Sequence, residues 1–266
     1  MGGGTAIGLL LKNSLIEPRK IVWLARIPGL RQLEAGPGQV SIGAAVTLRE
    51  IARSSVIRQQ LPALAHAARQ VGNPRVRAVA TLGGALAHAD PRQDVPPALC
   101  ALGARVWIAG PGGSRDIPVA SFQAGFMETV LAQDELVTHV VIPVVPGRRA
   151  AYARFTPGSD DDYPTVSAAA SIVRGGDMRV TSAILALGGV GRVPLLVSAA
   201  ATLTAVMPGE AEIGVVAGAA EATADPFDDQ RGSARYKKAM AREWSARVLR
   251  ACLDPDRPPA PGIVAG

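Results

Sequence analysis

Ala80-Thr81-Leu82-Gly83-Gly84-Ala85-Leu86-Ala87-His88-Ala89-Asp90-Pro91-Arg92-Gln93-Asp94 is the stretch on which the reading of this 266-residue chain turns. Two adjacent glycines follow a threonine. Successive glycines let the backbone turn with positive φ and aim neighbouring N–H groups at one spot, and a flanking hydroxyl adds a donor. Such a nest suits a phosphate. A second cluster of the same kind, Gly2-Gly3-Gly4-Thr5, opens the chain. A diphosphate needs several donors, and two separate loops can grip it from two sides. Taken singly, each cluster reads more simply as an ordinary tight turn. The stretch ends in Asp94, ahead of Val95-Pro96-Pro97 and an expected helix. Asp94 reads there as an N-cap, because proline is tolerated in a first helical turn.

The better-known nucleotide and hydrolase motifs are absent. There is no G-x-x-x-x-G-K-[ST], no G-x-G-x-x-G opening a helix after a strand, and no G-x-S-x-G elbow. Gly188-Gly189-Val190-Gly191 ends an expected strand and reads as a turn. Cys100 and Cys252 are the only cysteines, and His66, His88 and His139 are scattered. Neither set has the spacing of a zinc or iron–sulfur site, so no metal ligand and no catalytic nucleophile is expected on this chain. No apolar run reaches the roughly 18 residues of a membrane span. The N-terminus has no basic region before its short apolar stretch and no small-residue cleavage site. A cytoplasmic location is the expectation.

Composition bounds the class further. Hydrophobic residues make up 48% and charged residues 19%, which is enough apolar material for a core and argues against a disordered chain. The formal charge of +6 is uneven. Residues 1–150 hold 16 basic and 9 acidic side chains, and residues 151–266 hold 12 and 13. A basic first half suits an anionic ligand or an acidic partner. Nucleic acid is not expected, because the basic residues are spread out, aromatics are 4% and no nucleic-acid-binding motif occurs.

The pattern predicts an α+β chain of two parts. Gln39–Ala44 reads as a strand. Thr47 is placed as an N-cap, with Glu50 at the capping-box position, for a helix to about Arg53. Leu61–Val71 is an apolar-periodic helix. Ala104–Ala109 and Ser114–Val119 form a hairpin around Pro111-Gly112-Gly113, and Leu136–Ile142 is another strand. The composition then changes at the Pro-rich, basic stretch Pro143–Ala151, where a boundary is expected. The expected division is 1–147, 148–253, and a flexible Pro-rich tail, 254–266. The second part is read as a three-stranded antiparallel sheet, Ala151–Phe155, Thr165–Arg174 and Met178–Leu187. Helices at Val197–Val206, Glu210–Ala222 and Gly232–Cys252 follow. In the last, Tyr236, Met240, Trp244, Val248 and Cys252 recur every four residues as a core-facing seam.

Residues Thr81–Asp94 resemble the T-I-G-G-N…A-D-P-x-x-D signature of the FAD-binding subunits of molybdenum hydroxylases, the group of aerobic carbon monoxide dehydrogenases and bacterial xanthine dehydrogenases. Gly2-Gly3-Gly4-Thr5 resembles the family's A-G-G-T-D loop, Ile42-Gly43-Ala44 with Thr47 its I-G-A-x-x-T, and Gly72–Arg77 its G-x-x-Q-V-R-N. Ala186–Val190, and Asp228-Asp229-Gln230-Arg231 with Tyr236, resemble its C-terminal domain. The likeness runs in order along nearly the whole chain. It implies an FAD-binding mixed α/β domain of the PCMH type followed by a small sheet-plus-helices domain. It assigns Gly2, Gly3, Gly4, Thr5, Thr81, Leu82, Gly83 and Gly84 to the FAD diphosphate and places Asp94 near the ribityl or flavin portion.

The sequence also departs from the family. Ala6 stands where Asp is usual and Ala85 where Asn is usual, each a lost side-chain hydrogen bond of roughly 0.5–1.5 kcal/mol. The Y-x-K-F lysine near the flavin is Arg154 here, in Tyr152-Ala153-Arg154-Phe155, which keeps the positive charge and changes its geometry. Relatives have about a strand, a helix and a strand before the first glycine loop. The expectation is that the true start lies upstream or that a structural piece of the FAD site is lacking. The resemblance implies an oxidoreductase subunit that passes electrons through FAD to NAD, a quinone or oxygen. A large molybdenum-cofactor subunit and a small subunit with [2Fe–2S] clusters would be its partners. A fold-retaining paralogue with weak or no FAD binding, acting in assembly, is the alternative.

Overall fold

The structure of the protein is a computed structural model and describes residues 1–254 and 263–265. All its paired strands are antiparallel. Helix α1 (Thr5–Lys12) starts from Gly4, whose φ of 81° lies in the left-handed region. Two single-turn 3₁₀ helices, Leu24–Arg26 and Pro28–Leu30, lead into β1 (Leu33–Gly36) and β2 (Gln39–Gly43). Six short helices follow: α2 (Leu48–Arg53), α3 (Ser55–Gln60), α4 (Pro62–Gln70), α5 (Pro74–Val79), α6 (Leu82–His88) and α7 (Val95–Ala101). Then come the hairpin β3 (Arg105–Gly110) and β4 (Gly113–Pro118), a small ribbon of β5 (Gln123–Gly125) and β6 (Glu128–Thr129), and β7 (Leu136–Pro143). The first sheet has the order β1-β2-β7-β3-β4.

The expected capping box at α2 is present. The Glu50 N–H donates to the Thr47 hydroxyl at 3.2 Å, and the Thr47 N–H donates to the Glu50 carboxylate at 2.7 Å. Each side chain satisfies a backbone donor that the helix itself cannot. Alternation sets the strands: Val40 and Ile42 of β2 are fully buried while Ser41 between them is not. The capping of α5 is also local, with the Asn73 carboxamide oxygen accepting from the N–H groups of Arg75 and Val76.

The second sheet holds β8 (Arg148–Phe155), β9 (Val166–Arg174) and β10 (Val180–Gly188) at its centre, as expected. It has five strands rather than three. β11 (Leu195–Leu196) adds to β10 and β12 (Val264–Ala265) adds to β8. Each addition is two residues long, too short for any periodicity to announce it. The sheet is covered on both faces. Ala150, Tyr152, Ala169 and Ala186 belong to the core shared with α4 and α7. Ala151, Ala153, Ala168, Ala170, Leu185 and Leu187 belong to the core under α8 (Glu210–Thr223) and α9 (Ala234–Leu253). Strands buried on both faces read as continuous apolar runs, and the alanines let helices lie close on either side.

Two sequence expectations need correction. Val197–Val206 is not an α-helix; only Ser198–Leu203 coils, as 3₁₀ helix. The Thr202 and Thr204 hydroxyls donate to the Ala199 and Ala201 carbonyls three residues back, and Ala205 turns to a φ of 65°. Side chains that bond local carbonyls in this way compete with the α-helical ladder. The periodic seam of α9 is core-facing at Trp244, Val248 and Cys252 but runs out to an exposed Tyr236. A repeat of four drifts off a face that recurs every 3.6 residues. Of the expected flexible tail 254–266, residues 255–262 and 266 lie outside the described residues. Ile263 is buried, and Val264–Ala265 pair with β8.

Candidate functional site

A cavity of about 870 Å³ lies where α1, Ala44-Ala45, the Gly72 turn, the start of α6 and Gln93–Val95 meet. That volume is in the range of cofactor sites. Gly2, Gly3, Gly4, Thr5, Thr81, Gly83, Gly84 and Asp94 line it; Leu82 and Arg154 do not. Leu82 is fully buried behind the wall. The two glycine loops, far apart in sequence, are therefore one surface.

The first loop has the geometry of an anion cradle. A Cβ on Gly3 would stand 1.6 Å from the Val79 carbonyl oxygen, and one on Gly2 would stand 2.5 Å from the Thr81 hydroxyl. Only bare backbone fits there. The N–H groups of Thr5, Ala6 and Ile7 form the first turn of α1, where a helix supplies no acceptor of its own. Gly4 as N-cap offers no side chain to them either. These three residues face the cavity, at the positive end of the helix dipole.

The second loop works differently from the nest the sequence suggested. Gly83 and Gly84 do not take positive φ. They form the first turn of α6, and their donors are committed within the protein. The N–H of Leu82 donates to Val46 at 3.0 Å, that of Gly83 to Ala44 at 2.8 Å, and that of Ala85 to Thr81 at 2.9 Å, each to the carbonyl oxygen. The Gly84 N–H donates to the Thr81 hydroxyl at 3.2 Å. Gly83 is bare because a Cβ there would stand 2.5 Å from the Ala44 Cβ. This loop is a wall that lets α6 approach Ala44 closely, and Thr81 lines the cavity beside it.

Asp94 does not cap α7 with its side chain. Its buried carboxylate accepts from the Tyr152 hydroxyl and from Arg154 Nη1 at 3.1 and 3.2 Å. Burial pushes the Asp94 carboxyl up to about 6, against Arg154 and Tyr152, which both favour its ionised form. Burial and the neighbouring Asp94 hold the Tyr152 phenol well above its ordinary value. Arg154 stands one layer behind the cavity rather than on its wall. It also donates to the carbonyl oxygens of Gln70 at 2.7 Å, Asp160 at 3.4 Å and Asp162.

Sequence reasoning missed part of the wall. Ala44, Ala45, Gly72, Gln93, Met127, Asp161, Asp162 and Tyr163 all line the cavity. Ile42-Gly43-Ala44 carried a usable signal, since a Cβ on Gly43 would stand 2.3 Å from the Leu30 carbonyl oxygen. Met127 and Tyr163 carried none. They arrive from loops, Met127 at a φ of 58° and Tyr163 beneath the Arg92 guanidinium at 4.8 Å. Ala6 and Ala85, the two departures from the family pattern, both face the cavity.

Residues 1–145 match the FAD binding domain in molybdopterin dehydrogenase, and residues 150–252 match the CO dehydrogenase flavoprotein C-terminal domain. The chain belongs to the flavin subunits of the molybdenum hydroxylases. The carbon monoxide dehydrogenase medium chain of Hydrogenophaga pseudoflava is 30% identical over 94% of this flavin subunit and 88% of its own length. The glyceraldehyde dehydrogenase medium chain of Sulfolobus acidocaldarius is 28% identical over 94% and 89%. A solved structure of the Hydrogenophaga pseudoflava carbon monoxide dehydrogenase superposes with a TM-score of 0.91 at 30% identity, covering 95% of this chain and 88% of that one. Quinoline 2-oxidoreductase from Pseudomonas putida 86 gives 0.88 at 28% identity, over 96% and 89%. The fold is that of the family, the chain is an oxidoreductase subunit, and its cofactor is FAD.

The cavity fits that cofactor. Its uncapped α1 donors, which are backbone groups, are untouched by Ala6 and Ala85. Among the described residues no cluster of His, Cys, Asp or Glu could hold a metal, and no helix is long and apolar enough to cross a membrane. The molybdenum and iron–sulfur centres of such enzymes sit on other subunits.

Proposed function

We propose that this chain is the electron-relay subunit of a cytoplasmic hetero-oligomer. A large molybdenum-cofactor subunit oxidises the organic substrate, and a small [2Fe–2S] subunit delivers the electrons. FAD supplies the exchange of electrons between those clusters and an external acceptor such as NAD, a quinone or oxygen. The observation that carries this reading is the cavity, with the uncapped turn of α1 and the two glycine loops on one wall.

The residues divide the work. The N–H groups of Thr5, Ala6 and Ile7 bind the diphosphate, with the Thr5 and Thr81 hydroxyls as further donors. Gly2 and Gly3 keep side chains out of the space between the loops, and Gly83 lets α6 approach Ala44. Asp94, held by Tyr152 and Arg154, presents the one buried carboxyl of the wall to the ribityl or flavin portion. Arg154 acts through Asp94. Cys100 and Cys252 are buried free thiols, in keeping with a reducing compartment. The assembly-protein alternative is not favoured, because the backbone donors of the α1 turn survive Ala6 and Ala85.

Reconstitution tests the reading. The full chain mixed with FAD is expected to retain one flavin per chain through gel filtration, with the yellow absorbance of a bound flavin. It is also expected to co-purify with a molybdenum subunit and a [2Fe–2S] subunit from its source. Failure to retain flavin under any condition would sink the proposal.

A further inference from the structure

Arg231 belongs to the Asp228-Asp229-Gln230-Arg231 run between α8 and α9, far from either glycine loop in sequence. The run is built to present one side chain. The Asp228 carboxylate accepts from the Ala234 N–H at 2.6 Å, at the start of α9. Asp229 pairs with Lys237 at 2.7 Å and accepts from the Arg231 N–H at 2.8 Å. Asp229 and Gly232 exchange backbone hydrogen bonds at 3.0 and 3.2 Å, and Gly232 takes a φ of 136°. A tight turn tied to a long helix on both sides holds Arg231 in one place. Its side chain is 12% exposed.

What Arg231 reaches is the β8–β9 loop. Arg231 Nη2 donates to the Asp162 carboxylate at 2.6 Å, and Nε donates to the Tyr163 carbonyl oxygen at 3.3 Å. Asp161, Asp162 and Tyr163 are cavity wall. From the inner side Arg154 donates to the carbonyl oxygens of Asp160 and Asp162, and Arg92 stacks on the Tyr163 ring. The loop is thus clamped between buried Arg154 and the outer Arg231. The inner clamp bonds only backbone. The outer clamp, with its charged pair to Asp162, is the contact that a change at the α8–α9 turn would release.

We infer that Arg231 is a positioning residue that latches the Asp161–Tyr163 segment across the flavin cavity, so that the C-terminal domain sets how fast FAD leaves and how far solvent reaches it. The inference rests on FAD occupying this cavity. Arg231 acts only through the loop. A charge-assisted contact of this kind, half open to water on the Asp162 side, is worth less than a buried one.

The test uses the full chain loaded with FAD and two readouts, the rate of flavin release on dilution and the quenching of bound-flavin fluorescence by iodide. Arg231→Gln and Asp162→Asn are each expected to raise both, by roughly three- to tenfold. The double variant should exceed neither single one, because both remove the same contact. Arg231→Lys should recover part of the effect. Asp162 is half exposed, so its variant keeps the test valid if Arg231→Gln fails to fold. Wild-type release and quenching in Asp162→Asn, or additive effects in the double variant, would overturn the latch while leaving FAD binding intact. No flavin bound by the wild-type chain would overturn the functional reading and the latch with it.

Discussion

Gly3 and Gly8 are five residues apart and answer opposite demands. A Cβ on Gly3 has no room against the Val79 carbonyl, whereas one on Gly8, exposed on α1, meets nothing within 4 Å. We expect Gly3→Ala to push the first loop off the second and to abolish flavin retention. Gly8→Ala should leave retention unchanged and stabilise the chain by about 0.5–1 kcal/mol, the usual gain of alanine over glycine inside a helix. Flavin stoichiometry and urea midpoints of the two variants check the pair. Asp94 makes a different demand, on protons. Its folded value, about 6, lies above the ordinary carboxylate value of 3.8. The folded state therefore binds the proton more tightly, so this group's contribution to stability is full below about pH 4 and is lost as pH rises through about 6. A carboxylic-acid C=O band in infrared spectra should grow as pH falls through that range and be missing in Asp94→Asn. A band that stays absent down to the ordinary carboxylate range would mean that Arg154 and Tyr152 outweigh burial.

Helix α2 links a local sequence signal to the distant wall. The Thr47 hydroxyl caps α2, while the Thr47 backbone bridges Thr81 and the Leu48 N–H donates to the Ala80 carbonyl at 2.9 Å. Thr47→Ala should cost about 1 kcal/mol, within the usual range for a lost N-cap, read as a lower urea midpoint with an unchanged slope. It should also weaken FAD binding, because the strap under Thr81 loosens; an unchanged affinity would uncouple the cap from the site. The cap was legible because S/T-x-x-E is a contiguous pattern. The central strands β9 and β10 were legible for a similar reason, each being a largely apolar run ended by a turn. The glycine loops were legible as glycines but not as a mechanism. Nothing near Gly83 in sequence says that its N–H belongs to Ala44, and the open donors lie instead in the helical turn Thr5–Ile7, of which the resemblance had assigned only Thr5. Arg154 was legible as a positive charge, but its partner Asp94 is 60 residues away, and only the fold shows that the pair faces inward together. The short strands β11 and β12 and the 3₁₀ coil at Ser198–Leu203 depend on contacts with the finished sheet, which no local pattern encodes.

At the scale of the molecule, the sequence divides into two domains while the packing joins them. Tyr152, Ala169 and Ala186 of the second sheet sit in the same core as Leu64 of α4 and Leu99 of α7. The Tyr152 hydroxyl and Arg154 reach from that sheet to Asp94, at the head of α7. The Gly189 N–H donates to the Pro91 carbonyl at 2.9 Å, and Arg231 holds the loop from the far side. A sheet stripped of its α4–α7 cover would expose a whole apolar face, which no stable domain tolerates without another partner. We therefore expect the two parts to unfold as one unit. Calorimetry of the full chain should give a single transition, with its calorimetric enthalpy matching the van 't Hoff value. FAD seated in the cavity proposed for it would meet mainly the first part, which supplies most of that wall, and would bind only the folded state. In a coupled molecule it must nonetheless raise the whole transition, by about 2.7 kcal/mol at a hundredfold excess over its dissociation constant. Two transitions, with only the lower or only the upper one moved by FAD, would show that the shared core is too weak to couple the domains. The C-terminal part would then fold without the flavin site rather than as its second wall.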